Sequence, residues 1–248
     1  MTAVVLLSHG SPDARSGAAA HELARRATRE SGAAVVAAFL QHDQPDLTAR
    51  CRQLADAGHS DVVVVPMLIT PAFHARVDVP AAVDDAVTST GLRVALADPV
   101  GTDPLLIDAL HRQLPSGPVV LAAAGTGDPA AKQRLEAAAA TWAERRSAPV
   151  VVGYASQTTP AVTAAIAALE SATGSEVAVA SFVLYPGVLP DRIVAAAAGR
   201  HVTSPLAATP EVISLIRERV REARPAVDRW TTHHAPTDTT PIHERTPA

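Results

Sequence analysis

Residues 4–13 of the chain read VVLLSHGSPD, and residues 119–128, 115 positions later, read VVLAAAGTGD. In both stretches an apolar run leads into a glycine, which permits a tight exit from a strand, and then into an aspartate, which suits the first turn of a helix. The same offset relates residues 35–45 to 150–160 and residues 62–71 to 177–186. Three matched segments in the same order indicate that the chain contains two copies of one unit.

Each copy is predicted to contain four β-α units. The strands of the first copy are short, nearly all-apolar runs rich in valine, as a parallel sheet covered on both faces requires. They span residues 3–8, 34–40, 61–66 and 93–97, and the helical stretches that follow them span residues 15–31, 45–57, 78–89 and 103–114. This alternation predicts an α/β fold with right-handed crossovers. We therefore expect two similar domains, each a mainly parallel four-stranded sheet flanked by helices, with a cleft between them.

The domain boundaries follow from composition. Residues 115–118 read PSGP, a natural linker, so residues 1–115 are predicted to form the N-terminal half and residues 116–224 the C-terminal repeat. Late in the second copy the offset falls from 115 to 106, so nine residues are missing there. Residues 225–248 are rich in Thr and Pro and lack periodicity, which predicts a disordered tail without a role in catalysis. Its histidines, His233, His234 and His243, are the residues in it that could collect metal ions.

The overall composition excludes several classes of protein. Apolar residues make up 48% of the chain, enough for a large core, whereas aromatic residues make up only 3%, too few for a base-stacking platform. The formal net charge of −4 argues against nucleic acid and anionic membranes as partners. A single cysteine, Cys51, fits a reducing compartment, and we find no signal peptide or membrane-spanning run. We expect a cytoplasmic protein; a monomer would suffice to form the cleft.

Two histidines distinguish the first copy from the second. His9 aligns with Ala124 in the second copy, and His74 aligns with Leu189. Both histidines follow the carboxyl end of a predicted strand, which is where open parallel sheets bind their ligands. Two neutral imidazoles can share one divalent metal ion, and a histidine near its ordinary pKa can also accept a proton at neutral pH.

The histidines stand in motifs that resemble the sirohydrochlorin chelatase family. Residues 8–11 read SHGS, and residues 66–80 read PMLITPAFHARVDVP. They are similar to the family patterns H-G-S and P-x-x-L-x-x-G-x-H-x-x-x-D-[IV]-P. The family includes the cobaltochelatases of cobalamin synthesis and the ferrochelatases of siroheme synthesis. The resemblance covers residues 1–224, and residues 123–129 (AAGTGDP) resemble the degenerate half of two-domain, actinobacterial-type members.

This resemblance implies a class II chelatase, a lyase that inserts a divalent metal into a tetrapyrrole. His9 and His74 match the two active-site histidines of the family, and we assign metal capture and proton acceptance to them jointly. A site with few, neutral ligands leaves coordination positions free for the macrocycle nitrogens and suits a metal that has to be given away. The metal, Fe²⁺ or Co²⁺, is then a substrate, and no permanently bound cofactor is expected.

One position departs from the family pattern. Many members carry a Glu after the second strand, in a phrase similar to F-L-E-x-x-x-P, but residues 39–45 here read FLQHDQP. Gln41 can neither carry a charge nor accept a proton. Either the Glu is dispensable, or His42 or Asp43 takes its place.

The substrate of such an enzyme carries several carboxylates. The helix that follows Ser11 offers backbone N–H groups and a positive dipole end to one of them. Arg15 and Arg76, close in sequence to the two histidines, are candidates to pair with others. Asp78 is interpreted either as a helix cap or as a hydrogen-bond acceptor that orients His74.

Other functions fit the sequence less well. Iron is favoured over cobalt because two-domain members are often linked to siroheme. A non-catalytic carrier of metal or tetrapyrrole would use the same cleft. A phosphohydrolase with a histidine after its first strand would normally pair it with a neighbouring Arg, whereas Ser8 precedes His9 here. The Gly10-Ser11-Pro12 turn is neither a dinucleotide-binding loop nor a P-loop.

Overall fold

The structure, a computed structural model, describes residues 2–69, 73–156 and 158–233, and within these ranges it describes all side chains except those of residues 73–76 and 228–233. The first half of the chain contains β1 (Ala3–Ser8), α1 (Ala14–Ser31), β2 (Val35–Phe39), α2 (Leu47–Asp56), β3 (Asp61–Pro66), α3 (Phe73–Thr90), β4 (Arg93–Leu96) and α4 (Pro104–His111). The second half contains β5 (Val119–Ala123), α5 (Pro129–Arg146), β6 (Val150–Tyr154), α6 (Val162–Thr173), β7 (Ala178–Ser181), α7 (Val188–Ala197), a 3-10 turn (Leu206–Ala208) and α8 (Pro210–His233).

The strands form two parallel sheets with the orders β2-β1-β3-β4 and β6-β5-β7. In the first sheet Val4 pairs with Val35 and Val63. In the second sheet Val119 pairs with Val150 and Ala178, the residues 115 positions further along. The α/β class and the duplication are thus confirmed down to the register of the strands. Helices cover both faces of each sheet, which explains why the strands are apolar throughout.

The second sheet has three strands rather than the four expected. Val202, where the fourth strand should lie, forms only an isolated bridge to Val179. The backbone N–H of Ser181 donates to the hydroxyl of Thr203 at 2.9 Å instead of to a backbone carbonyl, so the ladder ends after one bridge. The missing residues shorten mainly the preceding helix, because α7 has 10 residues where α3 has 18.

The last helix of each half packs against the other half. Helix α8 lies against β3 and β4 of the first sheet, and Arg219 on α8 forms a 2.8 Å ion pair with Asp103, both side chains being about 15% exposed. Helix α4 meets α5, where the indole N–H of Trp142 donates to Nδ1 of His111. Buried residues of both sheets belong to one apolar core. The halves therefore hold each other in place.

Two predicted boundaries are wrong. Helix α3 begins at Phe73, not near residue 78, so Asp78 lies inside the helix and does not cap it. Helix α8 continues through Pro225 to His233, so the predicted disorder is wrong for residues 225–233. Ala223 and Val227 extend the apolar face of α8 onto the core, and this packing overrides the Thr- and Pro-rich composition. The rest of the predicted tail, with His234 and His243, lies outside the described residues. Within the described part of the chain no helix is long and apolar enough to cross a membrane.

Candidate active site

The loops after β1, β2 and β3 lie at one edge of the first sheet. These strands are adjacent and parallel, so their carboxyl ends meet at the same edge. His9 directly follows β1 and is exposed. His74 is the second residue of α3, the helix that follows β3, and its side chain lies outside the described part of the chain. The backbone therefore places His9 and His74 at the same sheet edge, as predicted. The joint role of their side chains stays a prediction.

The loop after β2 is packed directly onto the loop after β1. The N–H of Gln41 donates to the carbonyl oxygen of His9 at 2.9 Å, and the N–H of Asp43 donates to the carbonyl oxygen of Gln41 at 2.7 Å. Gly10 has φ +88°, and a Cβ atom added there would lie 1.7 Å from the Gln41 carbonyl oxygen. Only glycine fits at this position. The close packing of the two loops fixes the backbone of His9 relative to residues 41–43.

The structure separates the roles of Asp43 and His42, the two candidates to replace the missing Glu. Oδ2 of Asp43 accepts a hydrogen bond from the N–H of Ser11 at 2.9 Å. In the second half Thr158, at the matching position, accepts from the N–H of Thr126 in the same way, at 3.0 Å. Because the second half lacks the site histidines, this contact is architectural. The ring of His42, by contrast, is exposed, and its centroid lies 6.4 Å from that of His9.

The N-terminus of α1 does not present the open N–H groups that the sequence suggested. The N–H of Ser11 is bonded to Asp43, and the Ser11 hydroxyl oxygen accepts from the N–H of Asp13 at 3.1 Å. Asp13 is the N-cap of α1, and its Oδ1 accepts from the N–H of Arg15 at 3.0 Å. The helix end is thus already capped by a carboxylate of its own. Ser11 holds the loop together and offers neither its N–H nor a positive helix end to a substrate.

Arg15 joins the two halves of the molecule. Its guanidinium lies 2.6 Å from Oδ2 of Asp13 and 2.6 Å from Oδ2 of Asp191, which belongs to α7. These hydrogen bonds raise the pKa of Arg15 further above its ordinary value, and Arg15 in turn lowers the pKa of Asp13. Arg15 and Asp191 are more than half exposed, so the pair can be exchanged for other partners at little cost.

The two remaining predicted residues belong to α3. The side chain of Arg76 lies outside the described part of the chain. Asp78 is half-buried and follows His74 by four residues within one helix, a spacing that places two residues on the same helix face. A role of Asp78 in orienting His74 is therefore compatible with the backbone, whereas helix capping is not.

The sequence analysis missed Tyr185, which reaches the site from the second half. Its hydroxyl lies 3.0 Å from Oγ of Ser8, the buried last residue of β1 next to His9. Burial raises the pKa of Tyr185 to about 12. The signal was present, because this residue aligns with Thr70 and is one of only two tyrosines in the chain. Tyr185 is peculiar to the second copy, whereas the predicted site was drawn from residues peculiar to the first.

Ionisation of Tyr185 is expected to destabilise the protein in alkali. The folded state has the higher pKa, about 12 against an ordinary 10, so the stability gained from the neutral phenol is complete below pH 10 and is lost as the pH rises through 12. Two pKa units correspond to roughly 2.7 kcal/mol. From pH 9 to above pH 12 we expect the free energy of unfolding of the wild type to fall by roughly 2 kcal/mol more than that of Tyr185→Phe.

Urea unfolding followed by circular dichroism at a series of pH values measures this difference. Burial also raises the pKa values of Cys51 and Tyr154, but both residues are present in the two proteins and their contributions cancel. If the free energy of unfolding falls equally with pH in the wild type and in Tyr185→Phe, the phenol is not buried against Ser8.

Among the side chains that the structure describes, no three His, Cys, Asp or Glu residues are arranged to hold a metal ion. An exposed histidine pair, His9 and His42, is what the described residues offer at this edge. Two imidazoles alone would leave coordination positions of a metal ion open, unlike a closed structural metal site.

The fold and the site together define a class: a duplicated α/β protein with two parallel sheets in matched register and exposed histidines at the strand ends of one half only. The chain belongs to the CbiX family, whose model matches residues 3–116 and 118–223, almost the whole of both halves.

Individual relatives are more distant. A sirohydrochlorin cobaltochelatase of Sulfurisphaera tokodaii is 26% identical over 76 residues, which are 31% of this chain and 61% of the relative. Among solved structures, SirB from Bacillus subtilis with Fe³⁺ has a TM-score of 0.75 at 20% identity and covers 94% of this chain and 98% of its own. A CbiX described as the terminal enzyme for siroheme biosynthesis in denitrifying bacteria has a TM-score of 0.60 at 19% identity, over 89% and 99% of the two chains. These two structures support the fold.

Proposed function

We propose that the protein is a sirohydrochlorin chelatase that inserts a divalent metal, Fe²⁺, into its substrate to give siroheme. The observation that carries the proposal is the exposed His9 at the end of β1, at the sheet edge where α3 begins with His74 in its first turn. Membership of the CbiX family and the activity named for the relative from Sulfurisphaera tokodaii support it. The cleft has to hold a flat macrocycle and a metal ion at once, and both are substrates.

The surroundings of His9 prepare one ring nitrogen for a metal. Nδ1 lies 3.2 Å from the carbonyl oxygen of Gly10. In the tautomer that carries its proton on Nδ1, the ring donates to this carbonyl, and the lone pair of Nε2 is free to accept the metal. Ser8, whose hydroxyl is bonded to Tyr185, anchors the backbone just before His9. Both halves of the protein therefore contribute to the orientation of this ring.

Insertion also requires the removal of two pyrrole protons. A neutral imidazole at the sheet edge can accept one of them, and the other passes to solvent water. In the proposed mechanism His9 and His74 divide metal capture and proton acceptance, and Asp78, four residues after His74 on α3, orients His74. Neutral nitrogen ligands hold a divalent metal less firmly than a thiolate cluster would, which favours its transfer to the macrocycle.

Arg15 and Arg76 are the proposed partners of the substrate carboxylates. Arg15 already binds two carboxylates, those of Asp13 and Asp191, and so has the fork geometry that a substrate carboxylate needs. A carboxylate of the macrocycle can replace the exposed Asp191 without leaving Arg15 unpaired, because Asp13 stays in place. Arg76 remains a proposal from its position two residues after His74.

Cobalt is the alternative metal. Imidazole sites accept Fe²⁺ and Co²⁺ alike, and their affinities follow the order of the metals themselves. The relative from Sulfurisphaera tokodaii is named a cobaltochelatase. SirB from Bacillus subtilis was solved with Fe³⁺ and SirB from its subspecies spizizenii with cobalt, so SirB favours neither metal. The CbiX of denitrifying bacteria is described as the terminal enzyme for siroheme biosynthesis. Iron is proposed because this CbiX, a siroheme enzyme by its description, covers 89% of this chain.

The experiment that tests the function separates an enzyme from a carrier. The full-length protein at a low concentration is mixed anaerobically with excess sirohydrochlorin and Fe²⁺ or Co²⁺, and the absorbance of the macrocycle is followed. We expect many metallated products per protein molecule, at a higher kcat/KM for Fe²⁺ than for Co²⁺. Metallation that stops at one product per protein would instead make the molecule a carrier, and a higher kcat/KM for Co²⁺ would make it a cobaltochelatase.

A further inference from the structure

We infer, on the basis of the chelatase function proposed above, that His42 is a third metal-accepting residue and shares the incoming metal ion with His9. The two rings lie side by side at the edge of the first sheet, with their centroids 6.4 Å apart and their planes inclined by 33°. Both residues are exposed, so a hydrated metal ion can reach them from solvent.

The distance between the rings suits a shared metal. An imidazole nitrogen binds such a metal at about 2.1 Å, so the centroids of two rings on one ion lie no more than about 6.5 Å apart. The observed 6.4 Å is within this limit, and a small rotation of either exposed side chain shortens it. Two imidazoles then hold the ion, and the other coordination positions are free for water and later for the macrocycle.

The backbone of His42 provides a second, independent observation. Among the residues that the structure describes, three besides glycine have positive φ: His42 at +63°, Ser147 and Ala198. Ser147 and Ala198 are the C-caps of α5 and α7, where a left-handed residue is common. His42 ends no helix, because it lies between β2 and α2. An unfavourable backbone conformation outside a cap is characteristic of functional sites, since the surrounding structure has to maintain it.

The surrounding structure does maintain it. The residues on either side, Gln41 and Asp43, are tied to His9 and Ser11 by hydrogen bonds of 2.9 Å each. The backbone of Gln41 and the carboxylate of Asp43 therefore hold the loops together, while the exposed ring of His42 lies with its centroid 6.4 Å from that of His9. At the positions of His9 and His42 the second copy has Ala124 and Gln157, so both imidazoles occur only in the first half.

The test measures metal binding separately from metal insertion. Co²⁺ alone is titrated into the full-length wild type, His9→Ala, His42→Asn and the double variant, by calorimetry and by the absorption bands of the bound ion. Asn is the appropriate replacement because it tolerates positive φ but removes the imidazole. His59→Gln is the matched control, since His59 precedes β3 at the opposite edge of the same sheet.

We expect His42→Asn to raise the Kd for Co²⁺ at least tenfold and to shift the absorption bands, with His59→Gln unchanged. If the two rings hold one ion, the loss of binding in the double variant is smaller than the sum of the losses in the two single variants, because both substitutions remove ligands of the same ion. His42→Gly, which adds no backbone strain, has to show the same loss as His42→Asn.

A Kd for Co²⁺ that is unchanged in both His42→Asn and His42→Gly, while His9→Ala weakens binding, would overturn the role of His42. Failure of the proposed function has a different signature. In that case the wild type binds Co²⁺ in a manner that depends on His42, but it metallates no more than one sirohydrochlorin per protein molecule. That second outcome supports the shared metal site and rejects the enzyme.

Discussion

The variants His9→Ala and His74→Ala are each expected to lower kcat/KM for metal insertion by about a thousandfold, in the range of the loss of a residue that both binds a reacting atom and moves a proton. His9 is exposed at the end of β1, and its Nδ1 is positioned to donate to Gly10, so the ring can be removed without disturbing buried groups. The free energy of unfolding should change by less than about 0.5 kcal/mol in His9→Ala.

The measurement is steady-state metallation of sirohydrochlorin at saturating and limiting metal. His59→Ala removes a histidine at the far edge of the same sheet and should retain full activity. Full activity in His9→Ala would remove this residue from the site while leaving the family and fold unaffected. Loss in His9→Ala but not in His74→Ala would leave metal capture and proton acceptance to His9 and its neighbour His42.

The substitution Gly10→Ala is expected to destabilise the protein by at least about 3 kcal/mol, because it combines a strained backbone with a clash against another main-chain segment. The added Cβ would lie 1.7 Å from the carbonyl oxygen of Gln41, which is itself bonded to the N–H of Asp43. The loops after β1 and β2 have to move apart to relieve this clash. Metal insertion should then be lost even at temperatures where the variant is still folded, since the His9 backbone moves.

Two other glycines separate the effect of the strained backbone from the effect of the clash. Gly58 has φ +84° and nothing within 4 Å of an added Cβ, so Gly58→Ala should cost only the backbone term of about 1 kcal/mol. Gly125 is the counterpart of Gly10 in the second half, with φ +108°, and its nearest neighbour at 2.7 Å is the rotatable hydroxyl oxygen of Ser156. In chemical unfolding, the loss of folding free energy should be largest for Gly10→Ala, smaller for Gly125→Ala and smallest for Gly58→Ala. Equal losses for Gly10→Ala and Gly58→Ala would contradict the close packing of the loops.

The shared core also fixes the surroundings of the candidate site. Because α8 packs on β3 and β4 and α4 packs on α5, the strand ends that carry the histidines are held against the loop with Tyr185 by contacts from both halves. The second copy has lost the histidines, but it supplies the hydroxyl bonded to Ser8 and the carboxylate bonded to Arg15. The second copy therefore contacts two residues of the first half, Ser8 and Arg15, although it lacks the histidines.

The sequence by itself predicted the duplication, the parallel strands of the first half and the sheet edge at which His9 and the start of the helix with His74 lie. These features depend on local patterns: apolar runs of strand length, turn residues and a constant offset between copies. The same patterns misplaced the start of α3 and the end of α8. Val227 belongs to a helix because α8 packs its apolar face on the core, which no local composition records.

Only the tertiary structure decided which residue after β2 faces His9, that the N–H groups near Ser11 are already bonded, and that Tyr185 reaches Ser8 from the other half. Neighbours in sequence such as His42 and Asp43 point in different directions because of one positive φ angle and one hydrogen bond to a residue 32 positions away. Contacts of that kind depend on the distance between segments that meet only after folding. Residue type and spacing indicate which groups are available for chemistry, and the folded backbone decides which of them come together.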